Sequence, residues 1–301
     1  MNKKIGIIGL GRCGLPAAAR YVQSGYEVFG YARRPEVIKK FTAQGGVSLA
    51  NPAEVARHAD VVIIMVLNDE QVIDVVCGAG GILEGAAPGG TVICMSTINR
   101  TNLEMLADTC GRHRLDFVDC PFTGGPARVE NGTLTLIAAA PEAVLEKSRP
   151  ALEVLGKITV AGHQPGMGQA VKHCNQLMVA AIHAATIELI TLAEKTGVDP
   201  KIVCEVVGSG IGGNDYFRLL SGAILDHGAS PGGLGQLWKD INIVVTSARR
   251  HNLPLLVATA TSHYFNMAVS QGMANDESTR LMEVIRKMTG DPVTLRGEEV
   301  E

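Results

Sequence analysis

Residues 166–175, which read Gly-Met-Gly-Gln-Ala-Val-Lys-His-Cys-Asn, separate two parts of the sequence with different secondary-structure patterns. Before this stretch, short apolar runs typical of buried strands alternate with helical spacing, and after it the spacing is helical only. The alternating part predicts an α/β domain with a doubly wound parallel sheet at residues 1–163. The remainder predicts an all-α domain at residues 164–301, which begins with a long helix over about residues 168–195 and has its last helix over 276–288.

The first apolar run, residues 4–9, leads into a glycine-rich sequence. It continues as Gly9-Leu10-Gly11-Arg12-Cys13-Gly14, and helical spacing follows. In a strand–turn–helix unit, the first glycine permits a tight turn, the second lets a pyrophosphate approach the backbone, and the third lets the helix pack against the strand. The helix N-terminus then faces the anion. The sequence therefore predicts a Rossmann-type dinucleotide site at these six residues.

The residues after the second predicted strand bear on which nicotinamide cofactor is bound. An NAD-preferring fold often has Asp or Glu there to bind the ribose hydroxyls, whereas this chain has Ala32-Arg33-Arg34. Two guanidinium groups without a carboxylate suit a 2′-phosphate, because arginine pairs with phosphate bidentately. We therefore predict NADP as the preferred cofactor and NAD as the second choice. Two solvated arginines at a helix start would give the same pattern.

Two further loops follow predicted strands and are expected to border the cofactor. Leu67 follows the strand pattern at 60–66, and Thr97 follows the pattern at 91–95. In doubly wound sheets, ligands bind at the carboxyl ends of the strands. The alternative is that both loops are plain connections.

A second glycine-rich segment follows the strand pattern at 116–119. Thr123, Gly124 and Gly125 combine a hydroxyl with two flexible residues, so that backbone N–H groups can converge on an anion. Arg128 could add a second contact to a carboxylate. The competing interpretation is an ordinary turn between two strands with a solvated Arg128.

Lys172 and Asn175 are three residues apart in the long predicted helix, so both side chains share one helix face at the domain boundary. A nicotinamide enzyme that oxidises an alcohol needs a base for the hydroxyl proton. A partly desolvated lysine can act as that base in oxidation and as the acid in reduction. Asn175 could orient the substrate through its amide. The alternative is a solvated lysine near a helix start.

Composition limits the other classes of function. Charged residues make up 19% of the chain and the formal net charge is −3, which gives no electrostatic footprint for nucleic acid or an anionic membrane surface. The apolar segment 177–192 contains His183 and Glu188, which argues against a membrane span. The histidines lack metal-ligand spacing, and the seven cysteines include no C-x-x-C pair. We therefore expect a cytoplasmic protein without a metal, and we expect the polar residues 291–301 to fray.

Four segments taken together resemble the signatures of the β-hydroxyacid dehydrogenases, within the 6-phosphogluconate dehydrogenase superfamily. They are residues 9–16, 119–125 and 166–175 and the pair Lys239-Asp240, in the family's order. The 3-hydroxyisobutyrate dehydrogenases and tartronate semialdehyde reductases are typical members. The resemblance implies hydride transfer between NAD(P) and the alcohol carbon β to an acid group, without a metal, in a homodimer or homotetramer.

The resemblance also implies a role for each matching residue. Gly9, Gly11 and Gly14 would hold the pyrophosphate, and Lys239 would cover the nicotinamide side of the cofactor. Thr123, Gly124 and Gly125 would bind the substrate carboxylate. Lys172 would move the proton, and Asn175 would position the substrate.

The chain departs from the family pattern near the expected substrate. Thr123 stands where the family usually has Ser, and Gln176 stands where it usually has a second Asn. Thr123 keeps a hydroxyl donor but narrows the pocket, so the reaction class is kept and the substrate is left open. Two alternatives remain, an imine reductase-like enzyme and a non-catalytic NADP-binding sensor or scaffold. Lys172, which imine reductases replace, disfavours the first, and Lys172 together with Lys239 disfavours the second.

Overall fold

The computed structural model describes residues 4–226, 228 and 230–289, so the polar end at 291–301 lies outside the described residues. The chain folds into two compact units, Met1–Lys172 and His173–Glu301. Each unit has a hydrophobic core of its own. The domain division that we expect between residues 163 and 164 stays a prediction.

Within the described residues, the first unit contains nine strands and eight complete helices. The strands are β1 (Lys4–Ile8), β2 (Glu27–Tyr31), β3 (Val47–Ser48), β4 (Val61–Ile64), β5 (Thr91–Cys94), β6 (Asp116–Asp119), β7 (Phe122–Thr123), β8 (Leu134–Ala139) and β9 (Gly156–Gly162). The helices are α1 (Gly14–Gln23), α2 (Pro35–Ala43), α3 (Pro52–His58), α4 (Asp69–Cys77), α5 (Ile82–Gly85), α6 (Arg100–Arg112), α7 (Gly125–Asn131) and α8 (Glu142–Leu152). This alternation confirms the predicted α/β class.

The strand order β3-β2-β1-β4-β5-β6, with parallel pairing throughout, is that of a doubly wound nucleotide-binding sheet. β1 lies at its centre, where Ile5 pairs with Val28 of β2 and with Val61 of β4. Because β1 is covered on both faces, its sequence is a continuous apolar run rather than an alternating one. The carboxyl ends of β1, β4 and β5 therefore meet at one edge of the sheet.

The far side of the sheet is not parallel throughout. β8 runs antiparallel to β6 and β7, and β9 pairs with β8 in parallel. The chain turns back after α7, and the Ile137 N–H donates to the Pro121 carbonyl oxygen at 2.8 Å. Phe122 and Thr123 therefore lie on a short strand that is added antiparallel to β8.

The second unit is helical throughout the residues that the structure describes. Its elements are the greater part of α9 (Met167–Thr196), then α10 (Pro200–Ser209), α11 (Asp215–Leu225), α12 (Leu234–Arg250), α13 (Leu256–Ser270), two 3-10 turns at Met273–Asn275 and Ser278–Arg280, and α14 (Leu281–Thr289). The all-α prediction is confirmed, and the long predicted helix is α9. By length and composition alone α9 could cross a membrane, and half of its most apolar window is buried within the protein.

The buried polar residue His183 in α9 has its hydrogen bonds satisfied within the second unit. Its Nε2 donates to the Ser278 carbonyl oxygen at 3.0 Å, and its Nδ1 accepts from the Tyr216 hydroxyl at 3.0 Å. A carbonyl oxygen can only accept, which fixes this tautomer. Burial lowers the pKa of His183 to about 4. His183 therefore serves the core as a neutral residue.

Candidate active site

The glycine-rich loop connects β1 to α1. Gly9 has a φ of 99°, which favours glycine, and a Cβ there would lie 2.7 Å from the Met65 backbone. A Cβ on Gly14 would collide with the Gly9 carbonyl oxygen, so this glycine is needed for the helix to pack against the turn. A Cβ on Gly11 would instead stand in open space. Gly11 is therefore the glycine at which the protein leaves room for a ligand.

The other residues of this loop differ in exposure. Leu10 is buried in the core, Cys13 is half-buried and Arg12 is exposed. Among the described residues, no side chain caps the start of α1, which is also true of α2, α5, α6, α7 and α8. Uncapped N–H groups at the positive end of a helix dipole suit a pyrophosphate. The loop therefore fits the phosphates of a dinucleotide through its backbone.

Arg33 and Arg34 follow β2 directly, at the carboxyl end of that strand, and both are exposed. Arg34 Nε lies 3.7 Å from Glu36 Oε1, as in a loose surface ion pair. Such a pair contributes little free energy in water, so a phosphate group can replace the carboxylate as the partner of the guanidinium. Both guanidinium groups are therefore available to an anionic ligand.

The loops after β4 and β5 are joined to each other. Ser96 Oγ donates to the Val66 carbonyl oxygen at 2.7 Å, which holds together the segments that carry Leu67 and Thr97. Leu67 is 52% exposed, and Thr97 is half-buried. The Asn68 side chain caps α4, so it serves that helix. The two loops form one continuous surface at the carboxyl ends of the strands.

The predicted anion loop lies between β7 and α7. Thr123 ends β7, Gly124 has a φ of 136°, and Gly125 begins α7 with a φ of 70°. These conformations favour glycine and turn the backbone sharply before the helix. A Cβ on Gly124 would lie 2.7 Å from Arg128 Cδ, because the Arg128 stem folds back over the turn. The segment is thus a strand–turn–helix unit rather than a simple turn between two strands, and Arg128 is exposed, as the competing interpretation expects.

The buried carboxylate of Asp119 connects the end of β6 to the start of α9. Its Oδ2 accepts from the backbone N–H of Gly166 at 2.9 Å and of Gln169 at 3.1 Å, and its Oδ1 accepts from Gln169 Nε2 at 3.1 Å. Burial raises the pKa of Asp119 to about 6, and these hydrogen bonds act against the rise. Every one of these partners is a donor, which suits the ionised carboxylate.

Gln169 extends this junction to the loop after β5. Its Oε1 accepts from the Ile98 N–H at 3.1 Å, and its Nε2 donates to the Ser96 carbonyl oxygen at 3.0 Å. One fully buried amide therefore joins the loop after β5, the end of β6 and the first turn of α9. Lys172 follows Gln169 by three residues in the same helix, so the junction holds the turn that carries Lys172.

Lys172 lies in α9 with only 7% of its surface exposed. Burial raises the pKa of the Cys13 thiol, and the positive charges of Arg12 and Lys172 act against this rise. The charge of Lys172 thus acts on the thiol of the glycine-rich loop. Lys172 is therefore a buried cation beside the candidate dinucleotide site.

In the second unit, α9 and α12 share a chain of polar side chains. Asn175 Nδ2 donates to Gln176 Oε1 at 2.9 Å, and Gln176 Nε2 donates to Asp240 Oδ2 at 2.5 Å. Lys239 Nζ forms an ion pair with Asp240 Oδ1 at 2.9 Å. These hydrogen bonds and the ion pair therefore link Asn175 to Lys239, the two candidate site residues of the second unit.

Four residues to which sequence reasoning gave no role hold candidate site residues in place within each unit: Asp119 and Gln169 in the first, Gln176 and Asp240 in the second. Asp119 and Gln169 are 50 positions apart in the sequence, and Gln176 and Asp240 are 64 apart, so local spacing gives no sign of either contact. Two signals were available: Asp119, Gln169 and Asp240 lie within the family signatures, and a carboxylate beside an apolar run requires donors around it once it is buried. Among the described residues, no group of three or more His, Cys, Asp or Glu is placed to hold a metal ion.

Two family models match the chain, one on each side of residues 163–166. The model of the NAD binding domain of 6-phosphogluconate dehydrogenase matches residues 4–163. The model for NAD-binding of NADP-dependent 3-hydroxyisobutyrate dehydrogenase matches residues 166–285. Both matched descriptions name a nicotinamide cofactor.

Relatives and solved structures cover nearly the whole chain. An L-threonate dehydrogenase from Cupriavidus necator is 30% identical over 94% of this chain and 96% of its own length. The crystal structure of a 3-hydroxyisobutyrate dehydrogenase from Salmonella typhimurium has a TM-score of 0.87 at 25% identity, covering 94% of this chain and 100% of that one. The protein Psf3, solved with NADP+ and 2-OPP, has a TM-score of 0.85 at 26% identity, covering 93% of this chain and 99% of its own.

Imine reductases are more distant from this chain. The imine reductase from Pseudomonas sp. has a TM-score of 0.63 at 20% identity, covering 95% of this chain and 100% of that one. This likeness shows a common fold and does not extend to the activity.

Proposed function

The chain belongs to the NAD(P)-dependent β-hydroxyacid dehydrogenase family, and we propose that it transfers a hydride between NADP and the alcohol carbon β to the acid group of a small hydroxy acid. It is an oxidoreductase that binds NAD(P), because both matched family models describe the binding of this cofactor and its relatives are dehydrogenases. The residue assignments rest on one observation: Lys172 is buried, and its charge acts on Cys13 of the glycine-rich loop. A lysine with no role at that loop would be expected in water.

The cofactor is assigned to the turn between β1 and α1. The space at Gly11 and the uncapped start of α1 support phosphate binding there. Bound NADP supplies the hydride acceptor in oxidation and the donor in reduction. Arg33 and Arg34 support NADP over NAD, because guanidinium groups bind a 2′-phosphate bidentately. Lys239 is assigned to the nicotinamide side by the family resemblance.

The substrate carboxylate is assigned to the segment before α7. The Thr123 hydroxyl and the N–H groups of Gly124 and Gly125 are donors that a carboxylate can accept from. The Arg128 stem lies against this turn, and its guanidinium is assigned as a second partner of the same carboxylate. An acid group is therefore the part of the substrate that fixes its orientation.

The proton transfer is assigned to Lys172. In oxidation, its amine accepts the proton of the substrate hydroxyl as the hydride leaves the β-carbon, and in reduction its ammonium returns that proton. A lysine can serve both steps because its neutral amine accepts a proton and its ammonium returns one. Asn175, one helical turn further along α9, is assigned to positioning the substrate.

The proposal includes a homodimer or homotetramer in the cytoplasm. Large apolar side chains are exposed on and after α10, where Ile202, Val206 and Ile211 all face solvent. Apolar side chains that cluster on a surface are typical of a face that another chain covers. All seven cysteines are free thiols, as in proteins of a reducing compartment. The partner small molecule is the hydroxy acid, and neither nucleic acid nor a membrane is proposed as a partner.

The experiment that tests this function is reduced-nicotinamide formation from NADP and NAD over a panel of small 3-hydroxy acids. We expect turnover by the wild type and a loss of at least about 100-fold in kcat for Lys172→Ala, within the range general acid–base catalysis contributes. Cofactor binding, followed by protein fluorescence, should persist in the variant. Lys195→Ala, at the exposed end of the same helix, is the matched control and should keep wild-type turnover.

Two outcomes would contradict the proposal. Wild-type turnover that survives in Lys172→Ala would remove the assigned base. Tight NADP binding without turnover of any acid in the panel would favour the non-catalytic alternative.

A further inference from the structure

The chain of polar side chains between α9 and α12 has a fixed direction. At one end is the Asp240 carboxylate, which is 1% exposed and forms the ion pair with Lys239. A carboxylate accepts hydrogen bonds and cannot donate them. The amide of Gln176 must therefore turn its Nε2 towards Asp240, as the 2.5 Å contact shows.

The direction of Gln176 in turn sets the direction of Asn175. With Nε2 committed to Asp240, Gln176 presents Oε1 at its other end, and Oε1 can only accept. Asn175 therefore turns its Nδ2 towards Gln176, at 2.9 Å. The nitrogen and oxygen of an amide are otherwise interchangeable by a flip, but here the acceptor-only carboxylate determines both amides. Asn175 Oδ1, on the other side of the amide from Nδ2, is then the atom that does not bond to Gln176.

We propose that Asp240 and Gln176 are positioning residues that fix the Asn175 amide with its carbonyl oxygen towards the substrate, so that Asn175 accepts a hydrogen bond from a donor group of the substrate. This rests on the proposed function, in which Asn175 touches the substrate. Without Asp240 the two amides could flip together and present the Asn175 NH₂ group instead.

This direction restricts the class of substrate. A hydroxyl group has one proton, and in oxidation the proton of the reacting hydroxyl goes to Lys172. We assign the hydrogen bond to Asn175 Oδ1 to a second donor on the substrate, either a hydroxyl or an amino group. The preferred substrates are therefore small β-hydroxy acids with a second donor beside the reacting carbon, rather than simple 3-hydroxy acids.

Three acids of nearly equal size test this preference in the wild type. Glycerate carries a hydroxyl on the carbon next to the reacting one, serine carries an amino group there, and 3-hydroxypropanoate carries only hydrogen. Losing one such hydrogen bond costs about tenfold in kcat/KM. We expect 3-hydroxypropanoate to be at least about tenfold poorer than the better of the other two. Equal kcat/KM values for all three acids would overturn the inference.

Variants of the chain test the positioning role. Asp240→Asn removes the acceptor-only end of this hydrogen-bonded group, which frees both amides to flip, and we expect it to lose the discrimination between glycerate or serine and 3-hydroxypropanoate. The double variant Gln176→Glu with Asp240→Asn restores a single direction of hydrogen bonding. The new amide at position 240 donates to the new carboxylate at position 176. That carboxylate can only accept, so Asn175 again turns its Nδ2 towards it. The net charge of the group, including Lys239, is the same as in the wild type. We expect the double variant to regain most of the discrimination.

Controls separate positioning from loss of fold and from failure of the proposed function. The thermal unfolding midpoint and NADP binding are measured for each variant. If Asp240→Asn does not fold, Gln176→Met keeps the shape without an amide and should also lose the discrimination. A double variant as indiscriminate as Asp240→Asn overturns the positioning role alone. A wild type that turns over none of the panel acids overturns the proposed function itself.

Discussion

Asp119 ties the end of β6 to the helix that carries Lys172, as a buried carboxylate surrounded by N–H groups. Burial raises its pKa from 3.8 to about 6, so the folded protein holds a proton on this group more tightly than the unfolded chain does. The stability that this proton contributes is present below about pH 4 and is lost as the pH rises through 6. The size of the effect is on the order of 3 kcal/mol.

We expect the Asp119→Asn variant to lack this dependence on pH. The free energy of unfolding of the wild type minus that of the variant, from urea titrations, should fall by on the order of 3 kcal/mol between pH 4 and pH 7. Asp108→Asn on the exposed face of α6 is the control and should follow the wild type. A difference that stays constant over this range would mean that Asp119 does not titrate there.

Cofactor preference is also a matter of single residues. Replacing Arg33→Asp together with Arg34→Ala removes the two guanidinium groups and adds a carboxylate that can bind ribose hydroxyls. We expect kcat/KM with NADP to fall by about 10- to 100-fold, the worth of charge-assisted hydrogen bonds, and kcat/KM with NAD to rise. Steady-state kinetics with both cofactors measures the ratio, with Arg57→Ala on α3 as the control. A ratio equal to that of the wild type would contradict the assignment.

Helices with a regular local pattern, such as α9, could be predicted from the sequence. The 3-10 turns before α14 could not. The predicted helix at about 168–195 is α9, Met167–Thr196. Helical spacing over 276–288 predicts one last helix, but two 3-10 turns precede α14. The Ser278 carbonyl oxygen accepts from the Leu281 N–H within the 3-10 turn and also from His183, 95 residues away. No local pattern reports such a contact.

The same distinction holds for the candidate site. The two glycine-rich turns could be predicted because tight turns and close ligand approach require glycine at fixed spacings. Gln169 and Gln176 could not, because an amide in a helix is usually solvated and shows no sign of a buried partner. Their roles depend on the fold, which brings Asp119 and Asp240 to them.

The turn between β1 and α1 separates a structural glycine from a ligand-facing one. We expect Gly14→Ala to lower the thermal unfolding midpoint markedly, because the added Cβ meets backbone that cannot move aside. Gly11→Ala adds a Cβ in open space, so it should leave the midpoint nearly unchanged and weaken NADP binding at least about tenfold. Calorimetry gives both quantities. Wild-type NADP affinity in Gly11→Ala would remove this turn as the phosphate site.

The whole molecule is expected to function as an assembly of identical chains. The exposed apolar side chains of the second unit predict that size-exclusion chromatography with light scattering gives two or four chains per particle. Val206→Glu with Ile211→Glu places charges on this surface and should shift the particle towards one chain. Thr246→Glu, exposed on α12, is the control. A wild-type particle of a single chain would contradict the assembly.

Hydride transfer itself can be followed by its label. The best acid of the panel, carrying deuterium on the β-carbon, is incubated with NADP and the wild-type protein, and the nicotinamide product is examined by mass spectrometry. Direct transfer predicts NADPH that carries the deuterium, and a slower reaction than with the unlabelled acid if the transfer limits the rate. Unlabelled NADPH, with the deuterium released to water, would contradict hydride transfer from the β-carbon.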